Sequence, residues 1–248
     1  MHRYFIKCAY DGSHYSGWQI QTNAVSVQGA IQDALSTVLR NKIDIVGCGR
    51  TDAGVHASGY YFHFDYEGDF DDKHLFSANR VLAKSIQLIS FQKVSADDHA
   101  RYSATARQYR YQIALTEDPF KLMYHHRLNR PELYDQKALE NAASLFIGKY
   151  DFEFFSKVGS DVNHYNCEVY KSEWLFEKDE WFFRVQANRF MRGMVRLLVG
   201  AQLQLASGKI TDADMRQALS KTKSLDYNFS VPGNALFLEK IDYDFISG

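Results

Sequence analysis

An aspartate fixed at the end of a sheet, with an arginine two residues before it and glycines nearby, is a carboxylate placed for chemistry. The run Gly49-Arg50-Thr51-Asp52-Ala53-Gly54-Val55-His56-Ala57 has that form. A β-type run, Ile43-Asp44-Ile45-Val46, leads into it through Gly47 and Gly49, and a second, Ser58-Gly59-Tyr60-Tyr61-Phe62-His63-Phe64, leaves it. The two runs hold Asp52 in a tight turn, and the glycines leave room for a ligand to approach. Asp followed by Ala-Gly is also ordinary turn chemistry, because the aspartate caps its own backbone and glycine accepts positive φ. A dinucleotide-binding loop does not fit. The glycines read Gly47-x-Gly49-x-x-x-x-Gly54, and a strand rather than a helix follows them. His56 reads as a residue that stabilises the turn rather than as a proton donor.

Arginines supply the second signal. Arg101, Arg107 and Arg110 lie in a stretch from His99 to Thr116 with no acid, and Arg184, Arg189, Arg192 and Arg196 lie in another, Trp181 to Gly200. Acids gather elsewhere, as in Asp65, Glu67, Asp69, Asp71 and Asp72. If the two stretches meet they form one phosphate-facing groove, and nucleic acid is bound by such a patch even when net charge is −1. Aromatic residues make up 15% of the chain, enough to leave some for stacking after the core is filled.

The 248 residues can bury one large core or two small ones, and 46% hydrophobic with 24% charged residues is ordinary for a globular protein. Apolar stretches are broken by charge, as Arg196 breaks Met194 to Val199, and none approaches the ~18 residues of a membrane span. The N-terminus opens into a strand-like run, Tyr4-Phe5-Ile6, without an apolar signal segment. Cys8, Cys48 and Cys167 are scattered, with no C-x-x-C pair and no H-E-x-x-H among the histidines. The expectation is a cytoplasmic protein without metal.

Two repeats of β-α-β-β-α-β order position these residues. A strand from Arg3 to Tyr10 precedes a helix whose Val27, Ala30, Ile31, Ala34, Leu35, Val38 and Leu39 form one stripe, with Ser26 as N-cap. The strands around Asp52, a helix over 72–82 and a strand over 86–92 complete the first half. Tyr109, Tyr111, Ile113 and Leu115 alternate as a half-buried strand that opens the second half. A helix follows from Lys137 to Phe146, then paired strands over 168–176 and 181–185. A long helix from Arg189 to Ala206, a short one capped by Thr211 and a closing strand from Leu236 to Tyr243 finish the chain. The predicted class is α+β, two ferredoxin-like or RRM-like halves over residues 1–105 and 106–248, joined at Thr116 to Asp135, with a cleft between helical layers or across open sheet faces.

With that order in view, the chain resembles the tRNA pseudouridine synthase A family over nearly its whole length. Tyr10-Asp11-Gly12 with Gly17-Trp18-Gln19 resembles the family's opening signature, and Gly49 to Ala57 is its catalytic loop nearly letter for letter. His99-Ala100-Arg101-Tyr102-Ser103-Ala104, Arg107-Gln108-Tyr109-Arg110-Tyr111, and Asn188, Phe190 and Met194-Val195-Arg196 with Gly200 resemble later elements in the right order. Departures fall at Leu82-Ala83-Lys84-Ser85-Ile86, which lacks the usual proline and acid, and at Cys167-Glu168, where Arg-Thr is usual.

The resemblance implies isomerisation of uridine to pseudouridine at positions 38, 39 and 40 of the tRNA anticodon arm, without cofactor, by a homodimer whose copies both touch each tRNA. It implies Asp52 as the catalytic carboxylate, Arg196 as its ion-pair partner, Tyr109 stacked on the target uracil, and Arg50 either filling the space the base leaves or holding the flipped nucleotide's phosphate. It implies phosphate contacts from Arg101, Arg107, Arg110, Arg189 and Arg192. Asp52 could attack the ribose or abstract a ribose proton, and the sequence leaves both routes open. A non-catalytic RNA-binding protein of paired RRM-like units is the alternative, and no RNP1 signature supports it.

Overall fold

The computed structural model describes residues 1–157, 163–225 and 229–246. In chain order its elements are β1 (His2–Tyr10), α1 (Val27–Leu39), β2 (Val46–Gly47), β3 (His56–Tyr66), α2 (Asp72–Val81), β4 (Ile86–Val94) and β5 (Ala104–Ala114). There follow α3 (Pro119–Leu122), β6 (His126–Arg127), α4 (Gln136–Leu145), β7 (Gly148–Asp151), β8 (Asn166–Phe176) and β9 (Glu180–Ala187). The chain closes with α5 (Met194–Ala206), α6 (Asp212–Leu219) and β10 (Leu236–Tyr243). The class is mixed α+β; strand-helix-strand-strand-helix-strand order runs from β1 to β4, and the later part inserts α3 and β6 after β5 and carries three strands, β7 to β9, between α4 and α5. Two compact units form, Met1–Thr105 with Phe237–Gly248, and Ala106–Leu236. Among the described residues no helix is long and apolar enough to cross a membrane.

In the first unit β4, β1 and β3 lie side by side and antiparallel. The free edge of β3 is shared, β2 pairing at Phe62 and His63 and β10 pairing in parallel at His56 and Ala57. Division of the sequence at residue 105 assigns this last strand to the second half. Its ladder with β3 instead places it from Phe237 onward in the first unit. The β-type run before Asp52 is also shorter than its residues suggest. Ile43 and Ile45 are buried, but side chains of α1 satisfy their backbone: Ser36 Oγ accepts from Ile43 N at 3.0 Å, Gln32 Oε1 from Ile45 N at 3.2 Å, and Gln28 Nε2 donates to Ile45 O at 2.9 Å. Only Val46 and Gly47 pair as a strand.

Helix α1 starts where Ser26 Oγ accepts from Gly29 N at 3.1 Å; of the stripe read from the sequence Val27, Ile31, Ala34, Leu35 and Leu39 are buried, and Ala30 and Val38 are half-buried at its margin. Tyr60 of β3 stacks on Trp18 at 4.0 Å and 27°, a pairing that adds about 0.5–1.5 kcal/mol to its area burial.

On the other sheet face Phe5 stacks on His63 at 5.6 Å, with Tyr243 and Phe245 edge-on to Phe5. The segment 96–103 closes over them. Ala100 N donates to His63 Nδ1 at 3.1 Å, Tyr243 Oη donates to Ala100 O at 2.5 Å, and Arg3 Nη1 donates to Ala96 O and Asp98 O. Arg3 also grips Asp65 through two 2.8 Å bonds, a bidentate fork that fixes its plane.

The second unit carries the antiparallel order β5-β9-β8-β7, with β6 parallel on β5. Trp181, Phe183, Val185 and Ala187 alternate as buried residues of β9. The helix on that face is α5, since Trp174 Nε1 of β8 donates to Gln202 Oε1 of α5 at 2.7 Å. Helix α5 begins at Met194 and not at Arg189. Gly193 at its N-cap has φ +70°, a left-handed conformation that no right-handed helix runs through. Arg189 and Arg192 therefore lie in the connection before the helix.

Burial, with the charges of Arg3 and His99, lowers the His63 pKa from 6.5 to about 4. The neutral ring is the form that accepts the Ala100 N–H. The unfolded chain binds the extra proton between those two values, so stability is full above about pH 6.5 and falls as pH drops toward 4, by up to about 3 kcal/mol. His99 shifts in the same direction, chiefly by burial, and adds to the slope. His63→Asn keeps an acceptor, so its urea unfolding free energy should lose much of the decline between about pH 7 and pH 4.5. A slope as steep as that of the parent would contradict this.

Candidate active site

Asp52 sits at the first corner of a β-turn closed by Val55 N donating to Asp52 O at 3.2 Å, with Gly54 at φ +75° in the third position. That position needs a positive φ, and glycine takes it at least cost. A second loop, residues 11–18, is locked against this turn. Trp18 N donates to Thr51 O at 3.3 Å, Gly54 N to Tyr15 O at 3.4 Å, and Tyr10 Oη and Thr51 Oγ1 lie 2.9 Å apart in the core. Gly17 has φ +92°, and a Cβ there would stand 2.3 Å from Thr51 O. A Cβ on Gly12 would stand 2.1 Å from Val55 O. Backbone lies directly on backbone at both points.

Behind the turn His56 is buried, stacked on Phe237 at 4.6 Å. Its Nδ1 is 3.1 Å from Gly12 N and 3.0 Å from Asp11 Oδ1, which ties the second loop to β3. Tyr60 Oη donates to Gly49 O at 2.5 Å and fixes the approach to the turn from the other side. Asp52 is left half-buried, with Arg50 and Ala53 exposed beside it. A carboxylate so held cannot retreat into solvent on a loose loop. It can act as nucleophile or base towards a group that enters from the exposed side.

The second unit assembles a different set. Tyr109 and Tyr111 share one face of β5, paired with Val185 and Phe183, and this is the face that α5 covers. Tyr109 is half-buried, its ring edge-on to Phe190 at 5.1 Å. Arg196 stands on the first turn of α5, and its Nε donates to Val231 O at 2.6 Å while Val231 N donates back to Arg196 O at 3.3 Å. Tyr111 Oη donates to Pro232 O at 3.1 Å. The segment 229–232 thus runs as a strap between helix and strand. It can lie so close because residue 200, one turn after Arg196, is glycine: a Cβ there would stand 1.6 Å from Phe229 O. Burial raises the Tyr111 pKa far above its usual value, which the nearby charge of Arg196 partly opposes, so Tyr111 is a neutral hydroxyl.

The expected phosphate-binding arginines do not all share one surface. Arg107 lies on the Tyr109 face of β5, and its Nη1 donates to Asn188 O at 2.7 Å. Arg110 pairs with Arg184 on the opposite face and lies over the Phe182 ring at 5.6 Å. Strand alternation makes this unavoidable, because residues 107 and 110 differ by an odd number. Arg189 is half-buried with Nη1 3.3 Å from His164 Nε2, and Arg192 is exposed. Arg101 is exposed in the segment before β5, its guanidinium 5.6 Å from the Tyr102 ring. Among the described residues no group of three His, Cys, Asp or Glu could hold a metal ion. Residue reading missed the clamp by Gly12 and Gly17 and the strap over Gly200. The signal for the clamp was present in the paired glycines of Tyr10-Asp11-Gly12 and Gly17-Trp18, whereas nothing local marks 229–232.

Two substitutions test this scaffold. Gly17→Ala should lower urea unfolding stability by about 1–2 kcal/mol for the left-handed backbone alone, and by more once Thr51 is pushed aside. Gly200→Ala should cost about 1–3 kcal/mol and speed hydrogen exchange at the Val231 amide, which the strap protects. Unchanged exchange there would mean the strap does not depend on Gly200.

A family model described as tRNA pseudouridine synthase matches residues 142–244. A tRNA pseudouridine synthase A of Bacteroides fragilis is 44% identical over 97% of this chain and 96% of that protein. One from Bacteroides thetaiotaomicron is 40% identical over 98% and 91%, and one from an Exiguobacterium species 32% identical over 98% and 99%. Among solved structures, a chain of a Cbf5-Nop10-Gar1 complex aligns over 80% of this chain and 53% of that one at TM-score 0.37 and 11% identity, too low to carry an argument. The full-length identities are sufficient by themselves: this chain belongs to the tRNA pseudouridine synthase A family.

Proposed function

We propose that the protein isomerises uridine to pseudouridine in the anticodon arm of tRNA, at positions 38, 39 and 40, with the Asp52 carboxylate as the catalytic group. The observation that carries this reading is the clamped turn, in a chain of this family, that holds one half-buried carboxylate in a fixed place. The N1–C1′ bond of the nucleotide must break, the uracil must turn, C5 must join C1′, and the C5 proton must leave while N1 gains one. Product and substrate have the same composition, so the net change calls for no oxidant, reductant or group donor. Asp52 serves either by adding to C1′ as an ester or by taking a ribose proton to give a glycal, and both routes start from the carboxylate.

Arg196, aimed by the strap through its Nε, pairs with Asp52 in this reading. Tyr109 lies against the everted uracil and Arg50 occupies the space vacated in the RNA stack. Eversion costs a few kcal/mol, and stacking on one tyrosine returns about 1–3 kcal/mol, so Arg50 and phosphate contacts supply the rest. Of the phosphate contacts, Arg101, Arg107, Arg189 and Arg192 give register without reading sequence. Arg110, on the other sheet face from Tyr109, contacts RNA only if the tRNA reaches that face. The same reading makes the enzyme a cytoplasmic homodimer in which each tRNA touches both copies, and a single-chain sedimentation mass would remove that part.

The experiment is release of tritium from tRNA labelled at uridine C5. Asp52→Asn should keep fold and tRNA affinity while slowing release on the order of 10³-fold or more. Release at the parent rate would end the assignment. Tyr109→Ala should lower kcat/KM by roughly 5- to 150-fold, the loss of one stacked base.

A further inference from the structure

The segment 96–103 of the first unit is anchored at seven backbone groups by Arg3, His63, Tyr243 and its own side chains. Besides the bonds to Ala96 O, Asp98 O and both polar groups of Ala100, His99 Nδ1 lies within 3.1 Å of Arg101 N and 3.3 Å of Tyr102 N. Ser103 Oγ accepts from His99 N at 3.0 Å, and Ser103 N donates to His99 O at 2.9 Å. The neutral state of His63, argued above, keeps the Ala100 anchor in place at neutral pH. This scaffold presents a ring to water: Tyr102 is 76% exposed. The His99 ring tilts against it at 4.4 Å, and the Arg101 guanidinium lies 5.6 Å from its centroid.

A single exposed aromatic is unremarkable by itself. Here it stands on a preordered loop, next to a cation, in a stretch from His99 to Thr116 without an acid. A π face for a base and a guanidinium for a phosphate, held side by side, are the combination by which unpaired nucleotides are bound. Preordering removes the cost of fixing the loop at the moment of binding. We propose that Tyr102, flanked by Arg101 and His99, is a stacking subsite for an RNA base other than the reacting uridine. The subsite rests on the reading of the protein as an RNA-modifying enzyme, and it contributes to affinity rather than to the bond changes at the ribose.

The test uses the full chain and a tRNA transcript, with affinity read by filter binding over a range of salt and pseudouridine formation read at saturating RNA. Tyr102→Ala should raise Kd roughly 10-fold, keep the salt dependence of binding, and leave the rate at saturating tRNA within about twofold. Tyr102→Phe should bind as the parent does, because stacking needs the ring and not the hydroxyl. Arg101→Gln should instead lower the slope of log Kd against log salt by about one. Parent-like affinity of Tyr102→Ala, in an enzyme that forms pseudouridine, would overturn the subsite and leave the function standing. Loss of affinity equal in Tyr102→Phe and Tyr102→Ala, or a changed sedimentation mass in Tyr102→Ala, would also overturn it. A parent that forms no pseudouridine but whose tRNA affinity falls in Tyr102→Ala alone would keep the subsite and remove the isomerase.

Discussion

The backbone of Thr51 to Ala53 lies where it does because residue 17 has no side chain. Thr51 O lies 2.3 Å from where a Cβ at that position would stand, and the left-handed φ of Gly17 aims Trp18 N back at the same carbonyl. Two loops that are far apart in sequence thereby become one rigid body. The backbone that carries the carboxylate is thus positioned by contacts from residues 10–18. Trp18, stacked on Tyr60, carries the constraint into the core, and Tyr60 returns it to Gly49 at the other end of the turn.

The second unit solves the same problem with the same device. Gly200 lets the backbone at Phe229 lie on α5, and the strap that results holds Arg196 by Nε and Tyr111 by its hydroxyl. The bond from Nε to Val231 O fixes the plane of the Arg196 guanidinium. In both units, then, a glycine chosen for close approach determines where a charged group points. Arg107 and Arg189 are held by other means, through Asn188 O and the His164 ring.

Much of this was legible in the residues. The stripe on α1, the Ser26 cap, the paired strands β8 and β9 and the Thr211 cap follow from periodicity and capping rules, which act locally. Three features were not legible, each for a long-range reason. Ile43 to Val46 looks like a strand, but Gln28, Gln32 and Ser36 of α1 bond the backbone of Ile43 and Ile45 instead. The start of α5 was set too early because Arg189 to Arg192 suits a helix by composition, and only the conformation of Gly193 ends that reading. The last strand follows the second half in sequence but pairs with β3, a choice made by an open sheet edge. At the site, the turn and its aspartate could be named from nine residues. The clamp and the strap depend on backbone atoms, which carry no sequence signature of their own.

The most direct measurement is a crystal structure of the Asp52→Asn variant bound to a tRNA whose anticodon arm carries the substrate uridine. The expected result is an everted uridine with C1′ or C2′ within about 3.5 Å of the residue 52 side chain, the Tyr109 ring against the base and the turn still pressed on Gly17. An RNA seated elsewhere, or a residue 52 side chain turned away from the ribose while the nucleotide is everted, would contradict the account.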